Sequence, residues 1–136
     1  MQSADLTKYG FGAWLPFNRP NETALLSQLP MGPGAYAIRH IVPYVRRVGY
    51  SDILYFGSAT NSQGLKIRLH QYFHPGPTQR TNLRILHLVG NCNDFEVSVT
   101  PTDSSPDAKF LESSLLTAYK AEHGELPPEN KRHWSD

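Results

Sequence analysis

Five side chains have the types and positions to act on a charged substrate: Tyr36, Tyr55, Arg68, Tyr72 and Glu112. Glu112 is the most informative. Stepping about 100° per residue along a helix, Ala108, Leu111, Leu115, Leu116, Ala118 and Tyr119 share one face, with Glu112 in its middle. A carboxylate placed there loses water and gains little from apolar neighbours. It is therefore protonated, paired with a cation or bound to a metal, unless it lies at the stripe edge and reaches solvent.

Arg68 lies beside an apolar stripe of its own, one turn before Tyr72. The i, i+4 spacing puts guanidinium and phenol on one flank. The planar fork of an arginine matches phosphate oxygens. It serves equally as a snorkelling surface group or as the partner of Glu112. Tyr36 and Tyr55 fall in strand-like segments, where a core tyrosine with a satisfied hydroxyl is the ordinary outcome. His70 and His74 also stand at i, i+4, a spacing that binds zinc where Glu follows the first His. Here Gln71 takes that place and the sequence offers no third ligand, so no zinc site is expected. Cys92 has no second cysteine and no neighbouring His, and no nucleotide-binding glycine loop is present.

The elements that must position these groups read as follows. Residues 1–32 form a lead-in rich in Gly, Pro and aromatics, expected to pack on the core. Within it Asn21 is placed to cap a short helix carrying Ala24, Leu25, Leu26 and Leu29, ended by Pro30. The turn signal Gly32-Pro33-Gly34 opens a strand at 35–42. Residues 43–52 read as a long hairpin connection, and 53–58 as a short central strand. Leu65, Leu69, Tyr72 and Phe73 give a helix over 64–73 one apolar stripe, closed by Pro75-Gly76-Pro77. Residues 79–89 are assigned to a helix with Leu83 and Leu86 inward. Phe95, Val97 and Val99 alternate with Glu96, Ser98 and Thr100, as a half-buried strand does. Ser105 as cap and Pro106 as first helical residue start the last helix, which runs to about His123 and stops at Gly124. The fold expected is α/β of the α+β type, a small, mostly antiparallel three-stranded sheet flanked by helices, in one domain over 1–136.

Composition sets limits. A chain of 136 residues suits one core. No apolar run approaches the roughly 20 residues of a membrane span, and no secretory signal is visible. A single cysteine fits a reducing cytoplasm. A net charge of +1 does not bind a polyanion in bulk, so phosphate contacts must come from local clusters. The candidates are Arg39 with Arg46 and Arg47, Lys66 with Arg68, Arg80 with Arg84, and Lys131, Arg132 and His133. Each is otherwise a set of solvated surface charges.

Read in order, these pieces resemble the GIY-YIG nuclease superfamily. The first motif is Gly34-Ala35-Tyr36 and the second Tyr55-Phe56-Gly57. Arg68 matches the family's helix arginine, Tyr72 its following His or Tyr, and Glu112 its metal glutamate. Pro127, Pro128 and Asn130 match its closing signal. The wording around residues 55–73 is similar to the nuclease domain of the bacterial excision-repair incision subunit and to phage homing endonucleases. The likeness covers about 33–131. The sequence departs in an 18-residue connection between the tyrosine motifs (37 to 54), longer than is usual and carrying Arg46, Arg47 and Tyr50, in extra residues around Ser62 and Gly64, and in Ser58, where some repair members carry lysine.

The resemblance implies an endonuclease hydrolysing phosphodiester bonds, with DNA the expected substrate, in repair or in a mobile element. One divalent metal, Mg2+ or Mn2+, would sit on Glu112 and act as a Lewis acid. Arg68 would hold the scissile phosphate. Tyr55 would take the water's proton while Tyr36 orients water or phosphate. Tyr72 would bond the phosphate, and Gly34, Gly57, Ser58, His70 and Asn130 would support the site. Arg46, Arg47, Lys66, Arg80 and Arg84 are the candidate nucleic-acid contacts. A homodimer or a partner protein would supply specificity. Two other readings stand beside this one: a catalytically silent nucleic-acid-binding module, and an interaction domain with Glu112 and Arg68 as a buried ion pair.

Overall fold

A computed structural model describes residues 1–61 and 63–130; Ser62 and the basic trio Lys131, Arg132 and His133 lie outside the described residues. The chain order is β1 (Leu15–Pro16), α1 (Glu22–Ser27), β2 (Gly34–Val45), β3 (Tyr50–Ala59), α2 (Gly64–Phe73), α3 (Arg80–Val89), β4 (Phe95–Pro101) and α4 (Ser105–His123), with 3-10 turns at Ser3–Tyr9 and Arg19–Asn21. The sheet is antiparallel with order β1-β4-β2-β3. It has four strands, not three. The extra strand is two residues long, too short for an alternation to show, and its Pro16 suits an edge.

Both faces of the sheet are covered. On one, Tyr36, Ile38 and Val97 pack with Leu65, Leu69, Tyr72 and Phe73 of α2 and Ile85 and Val89 of α3. Phe17, Leu25 and Leu29 of the lead-in join that core. On the other, Ala35, Ala37 and Phe56 pack with Leu115, Leu116 and Tyr119 of α4 and Leu6 and Phe11 of the lead-in. The half-buried reading of β4 is thereby corrected. Ser98 and Thr100 are buried and donate to the Gly12 and Tyr9 carbonyls of the lead-in, while Val99 is only half-buried.

The hairpin arm also differs from expectation. Strands β2 and β3 run on to Val45 and from Tyr50, leaving a tight turn closed by Arg46 N–H on the Gly49 carbonyl, with Gly49 at φ +74°. Ile41, Val42, Val45 and Tyr50 are exposed, so strand-forming residues extend the arm without a core beneath it. Helix α3 turns a different face inward: Asn82, Ile85 and Val89 are buried, Leu86 is half-buried and Leu83 is exposed. The cap of α4 is Ser104, whose hydroxyl accepts from Asp107 N–H at 3.2 Å, while Ser105 donates to the Thr60 carbonyl. With two serines in succession, spacing alone does not choose between them. In the lead-in, Asn21 stands at the N-cap position of α1 but makes no side-chain cap bond, while Asn18 caps the preceding 3-10 turn, accepting from Asn21 N–H at 3.0 Å. Gly124 ends α4 at φ +74°, as expected.

Candidate active site

Strand register gathers the tyrosines. Tyr36 pairs with Gly57 and Ile38 with Tyr55, so Tyr36, Tyr55 and Gly57 share the face that α2 covers. Leu54 falls between the pairs Ile38–Tyr55 and Arg39–Ile53, a one-residue bulge that sets this phase. The Tyr36 ring lies across Gly57, where a Cβ would run into its ring and hydroxyl. Gly34 is equally crowded, by Leu65 and the Thr100 carbonyl. Glycine at both motif positions is thus a packing requirement.

The hydroxyls of Tyr36 and Tyr72 are 2.6 Å apart, with the rings edge to face. The Tyr55 ring lies 6.2 Å from that of Tyr36. Arg68 completes the group. Its Nη1 donates to Asn82 Oδ1 at 3.1 Å, its Nη2 to the Tyr72 hydroxyl at 3.4 Å, and its guanidinium sits 4.7 Å from the Tyr72 ring centre. Burial pushes all three phenols above their ordinary range, and the Arg68 charge pulls each part of the way back. All three are therefore neutral at pH 7. Tyr36 and Tyr72 are fully buried and Tyr55 is half-buried, so Tyr55 is the phenol of the three open to solvent.

Glu112 approaches from the other side of the sheet. It is 7% exposed, within the apolar stripe of α4 as its spacing requires. Ser58, next after Gly57 and pointing to the opposite face, donates its hydroxyl to Glu112 Oε1. Since β3 is the sheet edge, the two faces meet there. The Glu112 charge raises the pKa of both Tyr36 and Tyr55 further, which places the carboxylate within electrostatic reach of the phenols. Lys109 Nζ stands 3.9 Å from Oε1 on the exposed side. Among the described residues, Oε2 has no protein partner, and no ion pair joins Glu112 to Arg68. The direct pair that an interaction domain would need is absent from both residues' contacts.

Asn130 braces the strand from its free edge. Its Nδ2 donates to the Phe56 carbonyl and its Oδ1 accepts from Phe56 N–H, each at 2.9 Å. That pair satisfies the backbone between Tyr55 and Gly57, where no fifth strand does. Asn82 is the residue that sequence reasoning missed. It is buried, holds Arg68 by Oδ1, and donates from Nδ2 to Gln79 Oε1 at 3.1 Å. No pattern marked it, because a lone asparagine beside Leu83 carries no periodic signal of its own.

The candidate nucleic-acid contacts divide. Arg68 and Arg80 line one open cleft of about 360 Å³ with Gln71, Thr78, Gln79, Thr81 and Asn82. Lys66 is on α2 beside His70 and Met31. Arg84 is held by Glu129 at 2.9 Å. Arg46 is bound to Glu125 and the Leu126 carbonyl, and Arg47 N–H to Glu125. These last two sit at the hairpin tip, the far end of the β2–β3 pair from Tyr36. Arg39 is spent on Glu96 and on the Trp14 ring. His70 points away from the tyrosines, toward Glu22 of α1, 3.4 Å from its Oε2.

Known proteins carry a similar stretch. The chain is 31% identical over 108 residues to UvrABC system protein C of Gloeobacter violaceus, a match covering 79% of this chain and 15% of that one. UvrABC system protein C of Clostridium botulinum strain Hall is 29% identical over the same shares. Most of this chain is thus a region related to UvrABC system protein C, and it spans about 15% of the length of the curated relatives it matches. No family model matches, and no solved structure matches. No described helix is long and apolar enough to cross a membrane.

Proposed function

We propose that this chain is a metal-dependent endonuclease of the GIY-YIG type that hydrolyses DNA phosphodiesters. One observation carries the reading: a cation, three phenols and a buried carboxylate converge on the free edge of β3, next to a cleft lined by Arg68 and Arg80. The similarity to UvrABC system protein C supports it.

The donor set fits a hard divalent ion, because Glu112 keeps one oxygen, Oε2, free of protein partners. Glu112 would hold Mg2+ or Mn2+ there, and the bound ion would supply Lewis-acid charge beside the phosphate and make nearby water and phenol more acidic. Arg68, fixed by Asn82 and Tyr72, holds the scissile phosphate and shares its growing charge. Tyr55, neutral at rest, would first release its own proton to solvent, a loss favoured by Arg68 and a bound ion. As phenolate it would then accept the proton of the attacking water while the P–O bond breaks and the leaving oxygen takes a proton from water. Tyr36 and Tyr72, fully buried and bonded to each other, hold Arg68 and the Gly57 backbone in place. Ser58 fixes the Glu112 carboxylate, and Asn130 fixes the strand. A cytoplasmic location, and a second copy or a partner protein that supplies specificity, accompany this reading. Nicking of supercoiled plasmid with Mg2+ or Mn2+, and its abolition by chelator, tests it.

A further inference from the structure

Outside this site, the structure brings together three ligating side chains that the sequence keeps far apart. His70 on α2 and His74 just past its end stack their rings, with centres 4.4 Å apart. Glu22, in the first turn of α1, places Oε2 3.4 Å from His70 Nδ1 and 2.7 Å from His74 Nε2. All three donor atoms lie within 4.8 Å of one another. Ligands at about 2.0–2.2 Å around a tetrahedral ion sit roughly 3.4 Å apart. The observed spacings straddle that value, so small side-chain rotations bring all three donors onto one ion.

We infer that Glu22, His70 and His74 form a second metal site, for Zn2+ or a similar borderline transition ion. Two imidazoles and one carboxylate are the donor chemistry such ions take, and three protein ligands leave a fourth position for water. The site differs in kind from Glu112, whose oxygen donors suit a hard ion. Its place suggests its work. Glu22 belongs to the lead-in, and His70 stands two residues from Arg68 on the same helix. An ion there clasps the lead-in to the helix that carries the phosphate-binding arginine. The expectation that His70 and His74 lack a third ligand fails, because α1 supplies it from 48 residues earlier in the chain.

Zinc titration of the chelator-treated full chain by calorimetry tests this, run beside Glu112→Gln, His74→Ala and Glu22→Gln, with circular dichroism as the check of fold. His74 is exposed, so its replacement leaves the core untouched. The expected result is one equivalent of zinc bound by wild type and equally by Glu112→Gln. Binding should be weaker by roughly tenfold or more in both His74→Ala and Glu22→Gln, the usual scale for disturbing a metal site. Zinc should also raise the unfolding temperature of wild type and of Glu112→Gln only. No binding by wild type at sub-millimolar zinc overturns the inference, as does undiminished binding by the folded His74→Ala and Glu22→Gln variants. Loss of zinc binding in Glu112→Gln overturns it too, by assigning the ion to the other site.

Discussion

The Ser58 hydroxyl donates to Oε1 of Glu112, tying the edge strand to the long helix at the point where the two faces of the sheet meet. Through that bond the carboxylate on one face is tied to the edge strand whose other face carries Tyr55. It also leaves Oε2 as the oxygen free to bind an ion.

The Ser58→Ala variant should therefore need more metal. Partners that orient a metal ligand are worth about 10–100-fold in affinity or activity. The Mg2+ concentration that half-saturates nicking should rise by about tenfold, with the thermal midpoint little changed. An unchanged half-saturation would show that the hydroxyl does not orient Glu112 for an ion.

Asn130 occupies both backbone groups of Phe56 at the edge of the sheet. Asn130→Ala leaves a buried donor and acceptor unpaired, a loss of about 1–3 kcal/mol per group, less where water enters. Urea denaturation should register a drop on that scale, and Asn130→Asp should restore only the bond to Phe56 N–H. A variant as stable as wild type would mean that the strand edge does not depend on this side chain.

The phenols give a signature at high pH. Burial raises Tyr36, Tyr55 and Tyr72 above the usual value near 10. Tyr44, mostly by burial, is pushed up to about 12. A phenol raised in the folded state contributes stability that is complete below its unfolded pKa and is lost as pH climbs toward the folded one. Stability should hold from neutral pH to about 10 and fall beyond it. Tyr36→Phe, which removes one such group, should make that fall shallower. Absorbance at alkaline pH should show the buried phenols Tyr36, Tyr55 and Tyr72 ionising only beyond the usual value near 10. Simultaneous ionisation of all tyrosines near pH 10 in folded protein would contradict the buried arrangement.

Much of this site was legible because its residues obey strong local rules. Glu112 announced itself by interrupting an apolar stripe, and its helix kept that stripe in the fold. Helix α2 buries the four residues its spacing selected, which leaves Arg68 on the flank facing Tyr72. What was hidden depended on tertiary contact. Strand β1 is held by pairing with β4, not by any pattern of its own. Leu83 gave way to Asn82 in the face that α3 buries, because Asn82 satisfies Arg68 and Gln79. Burial of Ser98 and Thr100 follows from the lead-in crossing them, and Glu22 meets the histidines only through chain packing.

The central claim is that Glu112 and Arg68 serve one metal-dependent cleavage reaction, and plasmid nicking by wild type, Glu112→Gln and Arg68→Ala measures it most directly. Each protein is first matched for fold by circular dichroism and thermal midpoint. With Mg2+ or Mn2+ present, wild type should nick supercoiled plasmid, and each variant should lose about 100-fold or more of that rate, the scale of removing a charge-stabilising group. Folded variants that nick as fast as wild type would contradict the account, as would a wild type that binds DNA yet cuts none with either ion.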